Sequence, residues 1–172
     1  MVLPDLLGPG LRLVICGTAA GNRSAAVGHY YAGQGNRFWE FLWRSGLTPV
    51  QLAPEDDRRI LEFGIGLTDV AKTASGGDAV IARSAYDAAG FADRIGACAP
   101  GWVAFHGKNA ANVVARWRGE PGRVRYGHQS WSVAGRPVFV LPSASGAAQR
   151  PDYEGRSDRL DWFRELAELV GR

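Results

Sequence analysis

Apolar positions along the chain follow two rhythms. Short, mostly apolar runs fall at residues 11–16 (LRLVIC), 66–70 (GLTDV), 102–105 (WVAF) and 137–141 (PVFVL), bounded mostly by glycine, proline or a polar residue, which is the pattern of buried strands. Between them the spacing is helical. Phe38, Phe41 and Leu42 share one stripe of residues 36–44, with Asn36 placed to cap the start and Gly46 just past the end. Residues 54–63 open with Glu55, Asp56 and Asp57, where a helix dipole favours negative charge. Residues 85–98 predict a helix broken at Gly90, residues 108–117 another, and residues 159–170 a last one with Leu160, Phe163, Leu166 and Val170 on its buried stripe. Residues 131–133 and 137–141 form a hairpin around Ala134 and Gly135, and PVFVL is apolar enough to be central. Strands alternating with helices define the α/β class: one three-layer α/β/α domain over residues 1–172 with a mostly parallel central sheet. Residues 1–10 are a short N-terminal extension, with disorder expected only in its first few residues.

In an open α/β sheet, ligands gather beyond the carboxyl ends of the strands. Four loops begin there, after Gly17, Asp69, His106 and Ser143, each where an apolar run gives way to a small or polar residue. The first is the longest. From GTAAG it runs through a polar stretch into His29, Tyr30, Tyr31, Phe38 and Trp39, so a glycine turn that elsewhere cradles phosphate leads here to a block of aromatics.

Composition narrows the chemistry. The chain has 172 residues, 46% hydrophobic and 22% charged, which is ordinary for a soluble globular protein. The N-terminal MVLPDLLGPG lacks a basic region followed by a long apolar run, and nothing approaches the ~20 apolar residues of a membrane span, so a cytoplasmic location is expected. Cys16 and Cys98 are too few for a zinc or iron–sulfur site, the three histidines have no metal-ligand spacing, and no metal site is expected. The net charge of +3 is uneven: residues 108–150 carry seven cations against Glu120 alone, a net of +6. Such a band suits either a polyanion-binding surface or a solvated arginine-rich face.

Familiar motifs do not fit. GTAAG lacks the following GK[ST] of a P-loop, and the GQG at residues 33–35 has no strand before it. Ser143 and Ser145 in PSASG lack the first glycine of a nucleophile elbow, and every histidine precedes them.

In order and spacing, GTAAGNRSAAVGHYYAGQGNRFWEFLWRSGLT, FGIGLTDVAKT, VAFHGKNA and VFVLPSASGAA resemble the signature segments of the uracil-DNA glycosylase superfamily, most of all its mismatch-specific uracil and thymine-DNA glycosylases. The resemblance runs from residue 11 to about residue 169. It implies a DNA repair enzyme that flips a deaminated base, most readily uracil, and hydrolyses its bond to the sugar. The substrate would be DNA carrying that base, with no metal or organic cofactor and no obligate protein partner. By the resemblance, Tyr31 stacks on the base, with Tyr30 beside it. Gly17, Thr18 and Ala19 present backbone to the base, and Asn36 and His106 border it, although Asn36 also reads as a helix cap and His106 as a phosphate contact. Lys108, Ser143, Ser145 and Gly146 meet the DNA, and the wedge that fills the vacated stack is Gln149, Arg150 or absent.

One departure matters. The family's first motif commonly reads GxNPG, its asparagine positioning the attacking water, and here Ala19 stands in that place. Either activity is lost, leaving a protein that binds damaged or abasic DNA, or another group does the work. Asp69, at the end of GLTD, is the candidate general base, with recognition of a base N–H as its alternative role. Asn22 and Asp78 are weaker substitutes. No lysine falls in the expected pocket, so Schiff-base lyase chemistry is not expected.

Overall fold

The computed structural model describes residues 1–171. Its strands are β1 (Leu13–Gly17), β2 (Ile65–Asp69), β3 (Trp102–His106), β4 (Gly127–Val133) and β5 (Arg136–Leu141). They form one sheet in the order β2-β1-β3-β5-β4. All neighbours are parallel except β4, which closes one edge antiparallel to β5. PVFVL is therefore central, as its apolar character implies. The register sets Gly17 beside Asp69, Cys16 beside Phe105, and His106 beside Leu141, so four strands end level and send their loops to one edge.

The helices are α1 (Asn22–Val27), α2 (Phe38–Arg44), α3 (Ala88–Cys98), α4 (Lys108–Arg118) and α5 (Leu160–Val170). Alternate residues of β1 serve opposite faces. Leu13 and Ile15 join Phe38, Phe41, Phe163 and Leu166 under α2 and α5, while Val14 and Cys16 join Phe91, Ile95 and Val114 under α3 and α4. A strand covered on both sides needs apolar residues at every position, which is why LVIC is unbroken.

Several local expectations change. Residues 54–63 form a 3-10 run kinked at Asp56, not a regular helix. Asp57 is buried there, its carboxylate accepting the Tyr30 N–H at 3.0 Å, so tertiary demand outweighs its place on a polar helical face. Gly90 does not break α3. That helix starts at Ala88, Asp87 accepts the Gly90 N–H at 2.9 Å, and a Cβ on residue 90 would lie 2.3 Å from Asp87 Oδ2. The stretch after Gly17 folds a helix, α1, that the pattern does not announce, and β4 begins at Gly127, before the expected residue 131. No described helix is long and apolar enough to cross a membrane.

The N-terminal segment is ordered from its first residues. The Val2 N–H donates to the Lys72 carbonyl at 2.7 Å, and Leu6 and Leu67 exchange hydrogen bonds of 3.0 and 2.9 Å. It thereby covers the outer edge of β2, which would otherwise present unpaired backbone groups. Leu3 and Leu6 are buried by it. Leu6→Ala is expected to lower the free energy of unfolding by about 2–4 kcal/mol in a urea titration with unchanged slope. A loss below about 0.5 kcal/mol, the range of an ordinary surface change, would mean the segment adds nothing to the edge.

Candidate functional site

The loops leaving the level strand ends enclose a cavity of about 210 Å³. Asp69 is its most unusual wall. The residue is only 4% exposed, yet among the described residues its carboxylate accepts no hydrogen bond, and the neighbouring Tyr31 hydroxyl is itself without a partner. Burial pushes its pKa up to about 6; Lys72 and Arg94 pull the other way and Asp5 pushes with it. At neutral pH the group is ionised and basic enough to accept a proton.

Gly17 lies directly across from Asp69. A Cβ at this position would sit 2.7 Å from Asp69 Oδ1 and 3.1 Å from the Tyr31 hydroxyl, so only glycine lets the carboxylate and the tyrosine converge on the end of β1. The carbonyls of Gly17 and Thr18 accept the N–H groups of Val70 and Ala71 at 3.0 and 2.8 Å, locking the first loop to the second. Ala19 borders the cavity, as do Asn22 and Asp78, whose carboxyl pKa is also raised by burial.

The two tyrosines divide their roles. Tyr30 is a core residue: its N–H goes to Asp57, its carbonyl accepts the Trp39 indole N–H at 3.1 Å, and its hydroxyl donates to the Pro4 carbonyl at 2.9 Å. Only part of it borders the cavity. Tyr31 adopts a left-handed backbone conformation, φ 52°, which costs an L-residue of this size about 1–2 kcal/mol. Its neighbours hold it there, since the Ala32 N–H donates to Ser24 Oγ at 2.9 Å while Tyr30 is pinned on the other side. The ring lies flat on Phe38 with centroids 3.8 Å apart and meets the His106 ring edge-on at 4.8 Å. One face is thus backed by the core at the cavity wall.

His106 ends β3 inside the site. Its Nε2 accepts the Ala144 N–H at 2.9 Å, so in the neutral ring the proton sits on Nδ1. Burial, and then the nearby Arg159, push its pKa down to about 3, which keeps it neutral. Arg159 is itself buried and donates to the carbonyls of Ser143 and Ser145 at 2.9 and 2.8 Å. It therefore fixes the PSASG loop from behind. In front, the Arg37 N–H donates to the Ala144 carbonyl at 2.9 Å, and a Cβ on Gly146 would lie 3.3 Å from the Gly35 carbonyl oxygen. Asn36 is not the N-cap of α2, a place that Arg37 takes; its side chain accepts the Phe38 N–H at 3.0 Å in the turn leading into that helix, and it also borders the cavity.

Of the expected DNA contacts, Ser143 borders the cavity, and Lys108, Ser145 and Arg150 line an adjoining groove. Lys108 is paired there with Glu154. The serine hydroxyls are turned to their own loop, Ser143 accepting from Ser145 N–H and Ser145 from Ala147 N–H. Gly146 serves the contact with Gly35, and Gln149 is exposed. The basic band is not one surface. Arg116 and Arg118 end α4, which leads away from the site, and Arg136 begins β5 at the opposite end of the sheet.

The family model of the uracil DNA glycosylase superfamily matches residues 4–168. The chain belongs to that superfamily. A protein from Methanosarcina acetivorans, provisionally described as a uracil DNA glycosylase and solved by solution NMR, shares the fold with a TM-score of 0.63 at 24% identity, over 95% of this chain and 96% of that one. The five-stranded, mostly parallel sheet is thus the uracil DNA glycosylase fold, and family membership supports a DNA glycosylase acting on DNA.

Sequence reasoning misses Arg159, Asp5, Lys72 and Arg94. Only a charged residue that must be buried could have betrayed them, and burial is not visible in stretches as polar as YEGRSDRL.

The raised Asp69 pKa has a thermodynamic sign. The folded chain holds this proton more tightly than the unfolded one, so the group costs stability as pH rises from about 4 through about 6. Its effect at about pH 8 is up to about 3 kcal/mol. His106, whose folded pKa is lowered, acts in the opposite direction over much of the same range. Comparing parent and variant removes that contribution. Asp69→Asn is expected to be the more stable protein at about pH 8, by up to about 3 kcal/mol, and to lose its margin towards about pH 4. Urea titrations across that range check this, and a margin independent of pH would mean that Asp69 is not held against its own ionisation.

Proposed function

We propose that this protein is a monofunctional DNA glycosylase of the mismatch-specific uracil and thymine type, which hydrolyses the bond between a flipped deaminated base, most readily uracil, and C1′ of its sugar. The observation that carries the reading is the buried, donorless Asp69 carboxylate on the wall of a cavity bordered by Tyr31, in a chain of this superfamily.

A base inside a duplex cannot be attacked at its sugar bond, so it must first leave the stack. In this reading Tyr31 is the flat surface that receives it, worth about 1–3 kcal/mol per base by analogy with other stacking platforms. Its ring is backed by Phe38 and its backbone is already fixed, so little ordering remains when the base arrives. Neutral His106, with its proton on Nδ1, is a donor suited to a base oxygen on which charge builds as the bond to C1′ breaks. Asp69 accepts a proton from water as the water oxygen bonds to C1′, while the base leaves with the electron pair of the broken bond. The ionised carboxylate also stabilises the positive charge that develops on the sugar.

No lysine borders the cavity among the described residues, and Lys72, the closest in sequence to Asp69, is committed to Asp5. The reading therefore has water, not an amine, as nucleophile. Ser145, Arg150 and Lys108, once drawn from Glu154, are placed to meet phosphates in the adjoining groove.

Labelled oligonucleotides with one uracil test this directly. The parent is expected to leave alkali-sensitive abasic sites, with turnover rising as pH passes upward through about 6. Asp69→Asn should lower turnover by about 10²–10⁴-fold. DNA binding without release of uracil, hypoxanthine or xanthine would instead favour a non-catalytic binder of damaged or abasic DNA, the reading that Ala19 supports.

With only Gln149 or Arg150 to fill the vacated stack, single-stranded and mispaired uracil should be processed faster than uracil opposite adenine. Equal rates on all three would contradict a weak wedge.

A further inference from the structure

At the outer edge of β2, just behind Asp69, three charged side chains from distant parts of the chain meet. Asp5 comes from the N-terminal segment, Lys72 from the loop after β2, and Arg94 from α3. The Lys72 ammonium lies 3.0 Å from Asp5 Oδ1, and Arg94 Nε lies 3.2 Å from Asp5 Oδ2. Thr68 donates its hydroxyl to Asp5 at 2.6 Å. Lys72 also donates to the Tyr30 hydroxyl at 3.0 Å, and Arg94 donates to the Asp69 carbonyl at 2.9 Å. All three side chains are largely buried, so solvent screens them weakly.

Arg94 thus touches the backbone of Asp69, and Lys72 stands three residues beyond it, yet neither pairs with its carboxylate. Both are turned to Asp5. Two cations set beside a buried carboxylate would ordinarily neutralise it, and a paired carboxylate is a poor base. The other titratable groups facing Asp69 are Tyr30 and Tyr31 from the aromatic loop and Cys16 from β1, all held uncharged by burial. Asp5, Lys72 and Arg94 are therefore the charges that set its basicity.

We propose that Asp5 is a positioning residue of this site: it holds Lys72 and Arg94 in a neutralised cluster at the edge of β2, leaving Asp69 an unpaired carboxylate. This rests on the reading of Asp69 as the general base. The N-terminal segment is then part of the site as well as a cover for the sheet edge. Removing the Asp5 charge acts twice in the same direction, taking away a like charge and freeing Lys72 to turn towards Asp69.

The test follows the Asp69 carboxyl by carbon-13 NMR as pH is varied, alongside uracil release by the same proteins. In the parent the midpoint is expected near 6. In Asp5→Asn it should fall by about 1 pH unit or more, the rising limb of the pH–rate profile should fall with it, and turnover on the plateau should drop several-fold. Lys72→Met, alone or added to Asp5→Asn, should move the midpoint up. It also decides the matter if Asp5→Asn does not fold. An Asp5→Asn protein that unfolds at lower temperature but keeps the parent midpoint would overturn the proposal, as would a Lys72→Met midpoint that does not rise. If the parent releases no base, the functional reading fails alone and the NMR midpoints still decide this one.

Discussion

A carboxylate set at the end of a buried strand and given no hydrogen-bond donor is held there against its own hydration. Asp69 is in that position, and the rest of the site can be understood as what is needed to keep it so. A donor from the first loop would satisfy it and drain its basicity, but the end of β1 is glycine and offers no side chain. Only 4% of the residue is exposed, and that side of it faces the cavity, so water can reach the group from there alone. The cost is borne by the two-sided core beneath, where every residue of β1 and β2 is buried.

Holding such a group demands stiff loops, and the stiffness has identifiable sources. The first loop is tied to the second through the carbonyls of Gly17 and Thr18, and the aromatic loop to the fourth through Arg37 and Ala144. Arg159 then pins the fourth loop to α5 from behind. A buried guanidinium is expensive unless its hydrogen bonds are satisfied, and two carbonyls of PSASG satisfy much of that need. Burial first and then the same cation keep His106 neutral, so one buried charge both braces a loop and adds to the protonation preference of a site residue. Structural and chemical roles are not separable here.

What the sequence makes legible follows from which constraints are local. The strands could be read because a two-sided sheet forces apolar residues at consecutive positions, and Asp69 stood out because it ends such a run. Adjacent Tyr30 and Tyr31 could be told apart by the resemblance alone and not by any local pattern. Tyr30 is core with only a part at the cavity, whereas Tyr31 forms more of the wall, and they part because the backbone at Tyr31 turns left-handed between tethers to Ser24 and Asp57. The basic band was visible as a count of charges, but its members lie at opposite ends of the sheet because α4 leads away from the site and β5 runs towards it. Asp5 was invisible for a different reason. Its partners are Thr68, Lys72 and Arg94, and no short pattern records a contact that spans more than sixty residues.

The alanine in the first loop acquires a meaning from this arrangement. An asparagine at residue 19 would bring a neutral polar amide to the cavity wall, able to orient water but not to remove its proton. A carboxylate raised towards neutrality by burial can do both, and it also opposes the positive charge that develops on the sugar. The two solutions differ in what they require around them. An amide works wherever it can be placed. A basic carboxylate works only where neighbouring cations are kept from pairing with it, and in this chain the nearest cations are held by a second carboxylate at the sheet edge. On the proposed reading, Ala19 and the Asp5 cluster are two parts of one arrangement: a first loop with no polar side chain at residue 19, and an N-terminal segment that keeps Asp69 basic.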